Sequence, residues 1–324
     1  MGAFRDQAMP ELTIAVIGCG RAGRIHLQTW AKLVGARVAV VCDKEGVAAA
    51  RAAALAGGAF AFVDAADALA VGPFDIVDVC TPPDQQFAVA QAALQAGAHV
   101  ICESPFTASA REAEALVALA AERERLLMPA FCHRFHPPAL FARDLVDNDD
   151  IGRPTLFRCL FSDYRPGSSE EGTEAPPVGA LMETAIHGVD LFRAFCGEVI
   201  SVSGKILWAH PDSPVEDTVA LALQSDRALG TVSASWNTPG GRNLVEIYGT
   251  AGACVLDYDA GTTRAFTADQ PVWRQQEEGG SDCYERELAH FADAVRGLQP
   301  LEVTGEDGAR AVALCEEVYR QNSC

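Results

Sequence analysis

The feature that most constrains this chain is a short apolar strand running straight into a glycine-spaced turn. Residues 13–17, TIAVI, lead into Gly18-Cys19-Gly20-Arg21-Ala22-Gly23, and a helical pattern follows over 21–34. Gly18 permits a tight turn, Gly20 lets a pyrophosphate approach the backbone, and Gly23 lets the helix pack closely on the strand. The helix N-terminus offers free N–H groups and a partial positive charge to a phosphate. Gly18, Gly20, Arg21 and Ala22 are therefore candidate cofactor contacts, with Arg21 reading equally as a solvated helix-start residue. Twenty residues past Gly23 the second strand ends in Asp43. A carboxylate there accepts hydrogen bonds from the adenosine ribose and repels a 2′-phosphate, which favours NAD over NADP. Lys44 beside it softens that preference.

The rhythm of the first part fits such a turn. Apolar strands at 13–18, 37–43, 74–80, 98–102 and 126–131 alternate with Ala-rich helical stretches near 21–34, 45–57, 84–96 and 108–121. Near-continuous apolar strands separated by helices imply a doubly wound parallel sheet covered on both faces. After residue 132 the pattern changes. A helix over 137–147, a strand at 154–161, an acidic loop at 163–179 and a helix at 180–195 precede successive short strands from 199 to about 258. Strands joined by short turns imply a largely antiparallel sheet. Helices at 284–296 and 305–321 close the chain. The expected class is α/β: an N-terminal Rossmann domain at 11–131 and a C-terminal α/β domain at 132–324 with a large, mostly antiparallel sheet.

Charge and cysteine usage exclude several functions. With 25 Lys and Arg against 44 Asp and Glu, the formal charge is −19, which disfavours nucleic acid and anionic membrane surfaces as partners. No apolar run approaches the roughly 18 residues that span a bilayer. Eleven scattered cysteines without a C-x-x-C pair fit a reducing cytoplasm better than a disulfide framework. The opening MGAFRDQAMPE lacks the apolar stretch of a signal peptide and reads as a short leader.

With these residues placed, the chain resembles the Gfo/Idh/MocA family of sugar and cyclitol oxidoreductases. GCGRAGRIH resembles the family's opening, CTPPDQQ at 80–86 its T-P motif, and GAHVICESP at 97–105 the segment ending in Glu-Lys-Pro. FCHRFHP at 131–137, IGRPTLF at 151–157, LMETAIHGVD at 181–190, SASWNTPGG and EIYGTAG resemble later blocks. The resemblance implies NAD(P)-dependent hydride transfer on a sugar, cyclitol or polyol, with Thr81, Pro82 and Glu103 near the nicotinamide. It also implies a homodimer or tetramer through an exposed sheet face. It needs no metal, and Cys132, His133, His136 and His187 match no standard zinc spacing.

Three departures stand out. The family's proton-transferring lysine is Ser104 here, in Glu103-Ser104-Pro105. A serine hydroxyl is no base near neutral pH, although it can relay or hydrogen-bond, and losing a positioned base typically costs about 10²–10⁴-fold in rate. Glu183 stands for the usual Asp, and Gln86 for a frequent His. Glu183 and His187 lie i, i+4 on one helix, with Asp190 a turn further. We read His187 as the acid/base, Glu183 as its support and Ser104 as a relay. His133 and Arg134 are candidate substrate contacts. Tyr164 reads equally as a substrate contact or a solvated loop residue. The competing reading is a protein that binds dinucleotide and sugar without turnover, as a sensor or regulatory subunit. The family includes a yeast repressor of galactose metabolism.

Overall fold

The computed structural model describes residues 10–165, 178–277 and 282–323. The leader and most of the acidic loop therefore lie outside the described residues. The chain forms two compact units. One comprises residues up to Phe106, Glu112–Ala130 and Tyr284–Gly305; the other comprises Thr107–Arg111, Phe131–Cys283 and the residues from Glu306 on.

The first unit is a six-stranded parallel sheet. Its strands are β1 (Leu12–Ile17), β2 (Ala36–Cys42), β3 (Phe60–Phe62), β4 (Ile76–Val79), β5 (His99–Glu103) and β6 (Leu127–Ala130), in the order β3-β2-β1-β4-β5-β6. Its helices are α1 (Arg21–Trp30), α2 (Gly46–Leu55), α3 (Ala65–Ala70), α4 (Pro83–Gln95) and α5 (Ala110–Glu122). All four residues of β4 and five of the six in β1 are buried, as a sheet covered on both faces requires. The strand order reverses between β1 and β4, which pair in register from Ile14↔Ile76 to Ile17↔Val79. Ligands of such sheets bind beyond the carboxyl ends of the strands at that reversal.

Tyr284–Gly305 groups with the first unit, whereas the expected boundary at 131/132 assigned it to the second. Arg296 explains part of this, donating from Nη2 to the Gly35 carbonyl at 2.7 Å. Local pattern shows no such long-range return.

In the second unit, α6 (Pro137–Asp147) precedes the long strand β7 (Pro154–Ser162), and a helical segment, Leu181–Cys196, follows the loop. Then come β8 (Ser201–Leu207), β9 (Thr218–Gln224), β10 (Leu229–Ser235), β11 (Asn243–Gly249), β12 (Gly252–Asp257), β13 (Thr262–Thr267) and β14 (Arg274–Glu277). The eight strands lie in the order β14-β13-β12-β11-β7-β10-β9-β8. Among the described residues of this sheet, only the β7–β10 pair is parallel. In β9, Val219, Leu221 and Leu223 are buried while Ala220, Ala222 and Gln224 are exposed, the period-two pattern of a sheet covered on one face. On the open face Leu229, Leu156 and Tyr248 sit side by side across three strands. The remaining helices are α8 (Cys283–Val295), most of which belongs to the first unit, and α9 (Gly305–Asn322). Among the described residues no helix is long and apolar enough to cross a membrane.

The segment expected as one α-helix over 180–195 is two pieces. Leu181–Ala185 forms a π-helical turn and α7 (Ile186–Cys196) continues it. π-turns that interrupt helices are frequent at functional sites. Glu216 anchors this one: its carboxylate accepts from the Leu181 N–H at 3.0 Å and from the Tyr319 hydroxyl at 2.7 Å.

Candidate active site

The turn after β1 is built by close backbone approach. Gly18 has φ +96°, and a Cβ there would sit 2.5 Å from the Cys80 carbonyl. A Cβ on Gly23 would meet the Gly18 carbonyl oxygen at 2.0 Å. Gly20 differs, because nothing lies within 4 Å of the place its Cβ would occupy. The turn is thus packed below and open at Gly20. Gly20 also caps α1 without a side-chain bond, and the first turn holds no acidic residue. That leaves N–H groups and a partial positive charge suited to a pyrophosphate. Arg21 is exposed and Ala22 half-buried.

Asp43 lies against this turn. One carboxylate oxygen accepts from the Cys19 N–H at 2.7 Å and the other from the Glu45 N–H at 2.9 Å. Each oxygen keeps a lone pair for a ribose hydroxyl.

The ends of β4 and β5 complete the first unit's part. Gln86 is buried, and its Nε2 donates to the Thr81 carbonyl at 2.9 Å and the Glu103 carbonyl at 3.1 Å. It ties Cys80-Thr81-Pro82 to Glu103-Ser104-Pro105, a structural role for the residue that departs from the family pattern. Thr81 Oγ1, Gln86 Oε1 and Ser104 Oγ are buried without a hydrogen-bond partner among the described residues. Buried polar atoms left unsatisfied in this way cost free energy unless a ligand or water meets them. An open glycine, an available carboxylate and these polar atoms fit a nicotinamide dinucleotide.

Glu103 does more than border that region. Its Oε1 lies 3.1 Å from Nε2 of His26, which the sequence reading did not single out. On the other side of the ring, His26 Nδ1 lies 3.0 Å from Asp78 Oδ2. Trp30 Nε1 donates to the same oxygen at 2.7 Å, and the Cys80 thiol to Oδ1 at 3.3 Å. His26 and Asp78 are fully buried. The signal was a lone carboxylate inside the apolar strand IVDV, which demands partners. Burial alone would lower the His26 pKa, but the neighbouring Asp78 carboxylate outweighs it and holds the imidazole well above 6.5. The donor atoms of His26, Asp78 and Cys80 lie within 4.8 Å of one another, and they are engaged in bonding each other.

The second unit gathers a histidine–aromatic cluster. His187, in the first turn of α7, has its ring 4.4 Å from His133 and 5.8 Å from Phe131. His133 stands in a 3-10 turn, Cys132–Phe135, with its ring 4.8 Å from Phe161 and 5.4 Å from Tyr258. His136 lies 4.8 Å from the same tyrosine. Burial, then the His187 and His136 rings, push His133 well below the usual histidine range, and burial lowers His136. Both are neutral at pH 7.

Two expectations change here. Arg134 is not free for substrate: its Nε and Nη2 bond both oxygens of Asp190 at 2.7 and 2.5 Å, and Asp307 lies 3.6 Å away. Asp190, a turn past His187, is engaged by that guanidinium. Glu183 is ion-paired to Arg165, whose guanidinium also stacks 4.6 Å over Trp236. Tyr164, half exposed, bridges to Asn237. Trp236 is core, donating to Thr184 Oγ1 at 2.9 Å.

The Arg134–Asp190 pair carries a stability prediction. Asp190 is 1 % exposed, so Arg134→Ala strands a buried charge, which costs about 3–5 kcal/mol. The melting temperature is expected to fall by about 6–20 °C. A variant melting with the parent would contradict a buried pair.

Comparison with known proteins identifies the family and the fold. The family described as "Oxidoreductase family, NAD-binding Rossmann fold" matches residues 12–131, and the "GFO/IDH/MocA C-terminal domain" matches 140–255. Inositol 2-dehydrogenase of Rhodococcus erythropolis is 28% identical over 299 residues, spanning 88% of this chain and 84% of its own. The structure of UDP-N-acetylglucosamine 3-dehydrogenase from Acidithiobacillus ferrooxidans superposes with a TM-score of 0.83 at 26% identity, covering 96% of this chain and 97% of its own. Levoglucosan dehydrogenase in complex with NADH and levoglucosan shares the fold, with a TM-score of 0.87 at 23% identity over 95% and 96% of the two chains.

Proposed function

We propose that this chain, which belongs to the GFO/IDH/MocA oxidoreductase family, is an NAD-dependent dehydrogenase acting on a secondary alcohol of a sugar, cyclitol or related polyol. The observation that carries the reading is the strand-order reversal, where the packed glycine turn, Asp43 and the unpartnered Thr81, Gln86 and Ser104 atoms lie at the strand ends. A bound nicotinamide dinucleotide supplies carbon 4 as acceptor or donor of a hydride. The turn holds the pyrophosphate on its N–H groups, and Asp43 accepts from the adenosine ribose. His187 takes the hydroxyl proton as the carbinol carbon loses hydride, and returns it in the reverse direction. Ser104 contributes a hydroxyl that donates or accepts a hydrogen bond. Glu183 acts through its pair with Arg165. The open sheet face with Leu156, Leu229 and Tyr248 supports a homo-oligomer.

Asp43 decides the cofactor. Its charge repels a 2′-phosphate, so Asp43→Asn is expected to reduce the preference for NADH over NADPH by about tenfold, near 1.4 kcal/mol. Calorimetric titration of both nucleotides reads this, and an unchanged ratio refutes the assignment.

Ser104, with no positioned base of its own, favours a second reading: a dinucleotide- and sugar-binding protein without turnover. Incubation with NAD+ and inositol, levoglucosan or UDP-N-acetylglucosamine, followed at the NADH absorbance, separates the two. Turnover of any of these supports the dehydrogenase. NADH binding with no turnover, followed by a large rate gain in Ser104→Lys, supports the regulatory protein.

A further inference from the structure

We infer that His26 is a positioning residue that fixes the Glu103 carboxylate, and through it the Glu103–Ser104 segment, for the nicotinamide half of the dinucleotide. The inference rests on the dinucleotide-binding reading and adds to it a residue that touches neither substrate nor cofactor.

Donor and acceptor chemistry determines the protons. Trp30 Nε1 can only donate, and it reaches Asp78 Oδ2 at 2.7 Å. The Cys80 thiol reaches Oδ1, and burial beside Asp78 pushes its pKa up, so it stays a donor. Asp78 is therefore an acceptor-only carboxylate, and His26 Nδ1, 3.0 and 3.1 Å from its two oxygens, carries a proton. Nε2 then faces Glu103 Oε1 at 3.1 Å. A protonated ring at that distance attracts the carboxylate as an ion pair, while the contact lacks the alignment of a hydrogen bond. The two carboxylates at ion-pair distance favour the imidazolium form of His26. The groups facing it are Asp78 on β4, Cys80 just beyond it, Glu103 at the end of β5, Trp30 on its own helix, and Tyr284 on α8 with its ring 5.9 Å away.

The clamp reaches the cofactor region in one step. Glu103 Oε2 accepts from the Ser104 N–H at 3.1 Å, and the Glu103 carbonyl accepts from Gln86 at 3.1 Å. Two acceptor atoms of Glu103 are thereby hydrogen-bonded while its Oε1 lies at ion-pair distance from His26, and the next residue carries the unpartnered Ser104 Oγ. Removing the imidazolium frees the carboxylate to turn, and the Ser104 peptide moves with it. The glycine turn and Asp43 have their own anchors.

The test separates the two halves of the cofactor. Parent and His26→Gln proteins are titrated calorimetrically with NADH and with ADP-ribose, which lacks the nicotinamide. The variant is expected to bind ADP-ribose like the parent and NADH about tenfold more weakly. Equal weakening of both ligands, or no change in either, overturns the inference. Should His26→Gln fail to fold, Glu103→Gln keeps the Asp78–His26 pair and is expected to show the same split, or overturn the inference by lacking it. In the parent, ¹⁵N spectra of the histidine rings are expected to show both His26 nitrogens protonated above the ordinary histidine midpoint of about 6.5; titration at or below it overturns the imidazolium. A parent that binds neither ligand refutes the dinucleotide reading itself, a different outcome from a parent that binds both and a variant without the split.

Discussion

Gly23→Ala is expected to lose about a hundredfold or more in NADH affinity and to melt below the parent. The Cβ it adds would lie 2.0 Å from the Gly18 carbonyl oxygen and 2.9 Å from its carbon. Both are backbone atoms, so no side chain can swing aside. The helix must slide away from the turn, and the N–H groups that would hold the pyrophosphate move with it. Overpacking of this kind costs about 1–3 kcal/mol in stability before any ligand is considered. Gly20→Ala is the control, because an added methyl there meets nothing within 4 Å. That protein is expected to melt with the parent yet bind NADH more weakly, since only the ligand competes for the space. A Gly23→Ala protein that melts and binds like the parent would show that the turn is not the cofactor cradle.

His187→Ala is the second large effect. Losing a positioned acid/base is expected to lower kcat by about 10²–10⁴-fold. NADH affinity should hold, because the turn and Asp43 belong to the other unit. His187 stacks on His133, so His187→Asn serves as the comparator that preserves bulk. Both variants are assayed on whichever sugar or cyclitol the parent oxidises. Full turnover in either would remove His187 from the chemistry and return attention to Ser104.

What the sequence revealed tracks how local each interaction is. The strands of the first unit were legible because a doubly covered sheet writes itself as continuous apolar runs, as in β1 and β4. The three-residue β3, with Phe60 and Ala61 exposed, and the six-residue α3 were too short to carry a period. The polar strands β13 and β14, past residue 258, lacked the apolar alternation that marked their predecessors. The glycine turn and Asp43 were legible because turn, strand end and carboxylate fall within one strand–helix–strand unit. The pairing of Arg134 is not legible because its partner Asp190 stands 56 positions away, and an arginine bound for a buried pair looks in sequence like one bound for a ligand. The π-turn at Leu181–Ala185 leaves no periodic trace, since one extra residue per turn falls within the scatter of any amphipathic pattern.

The most direct test of the account is calorimetric titration of the purified protein with NADH and with NADPH, after release of any co-purified nucleotide. Saturable binding of NADH is expected, clearly tighter than that of NADPH. Tighter binding of NADPH would contradict the role given to Asp43. Binding of neither, in a folded protein free of nucleotide, would contradict the central claim that the turn from Gly18 to Gly23 cradles a dinucleotide.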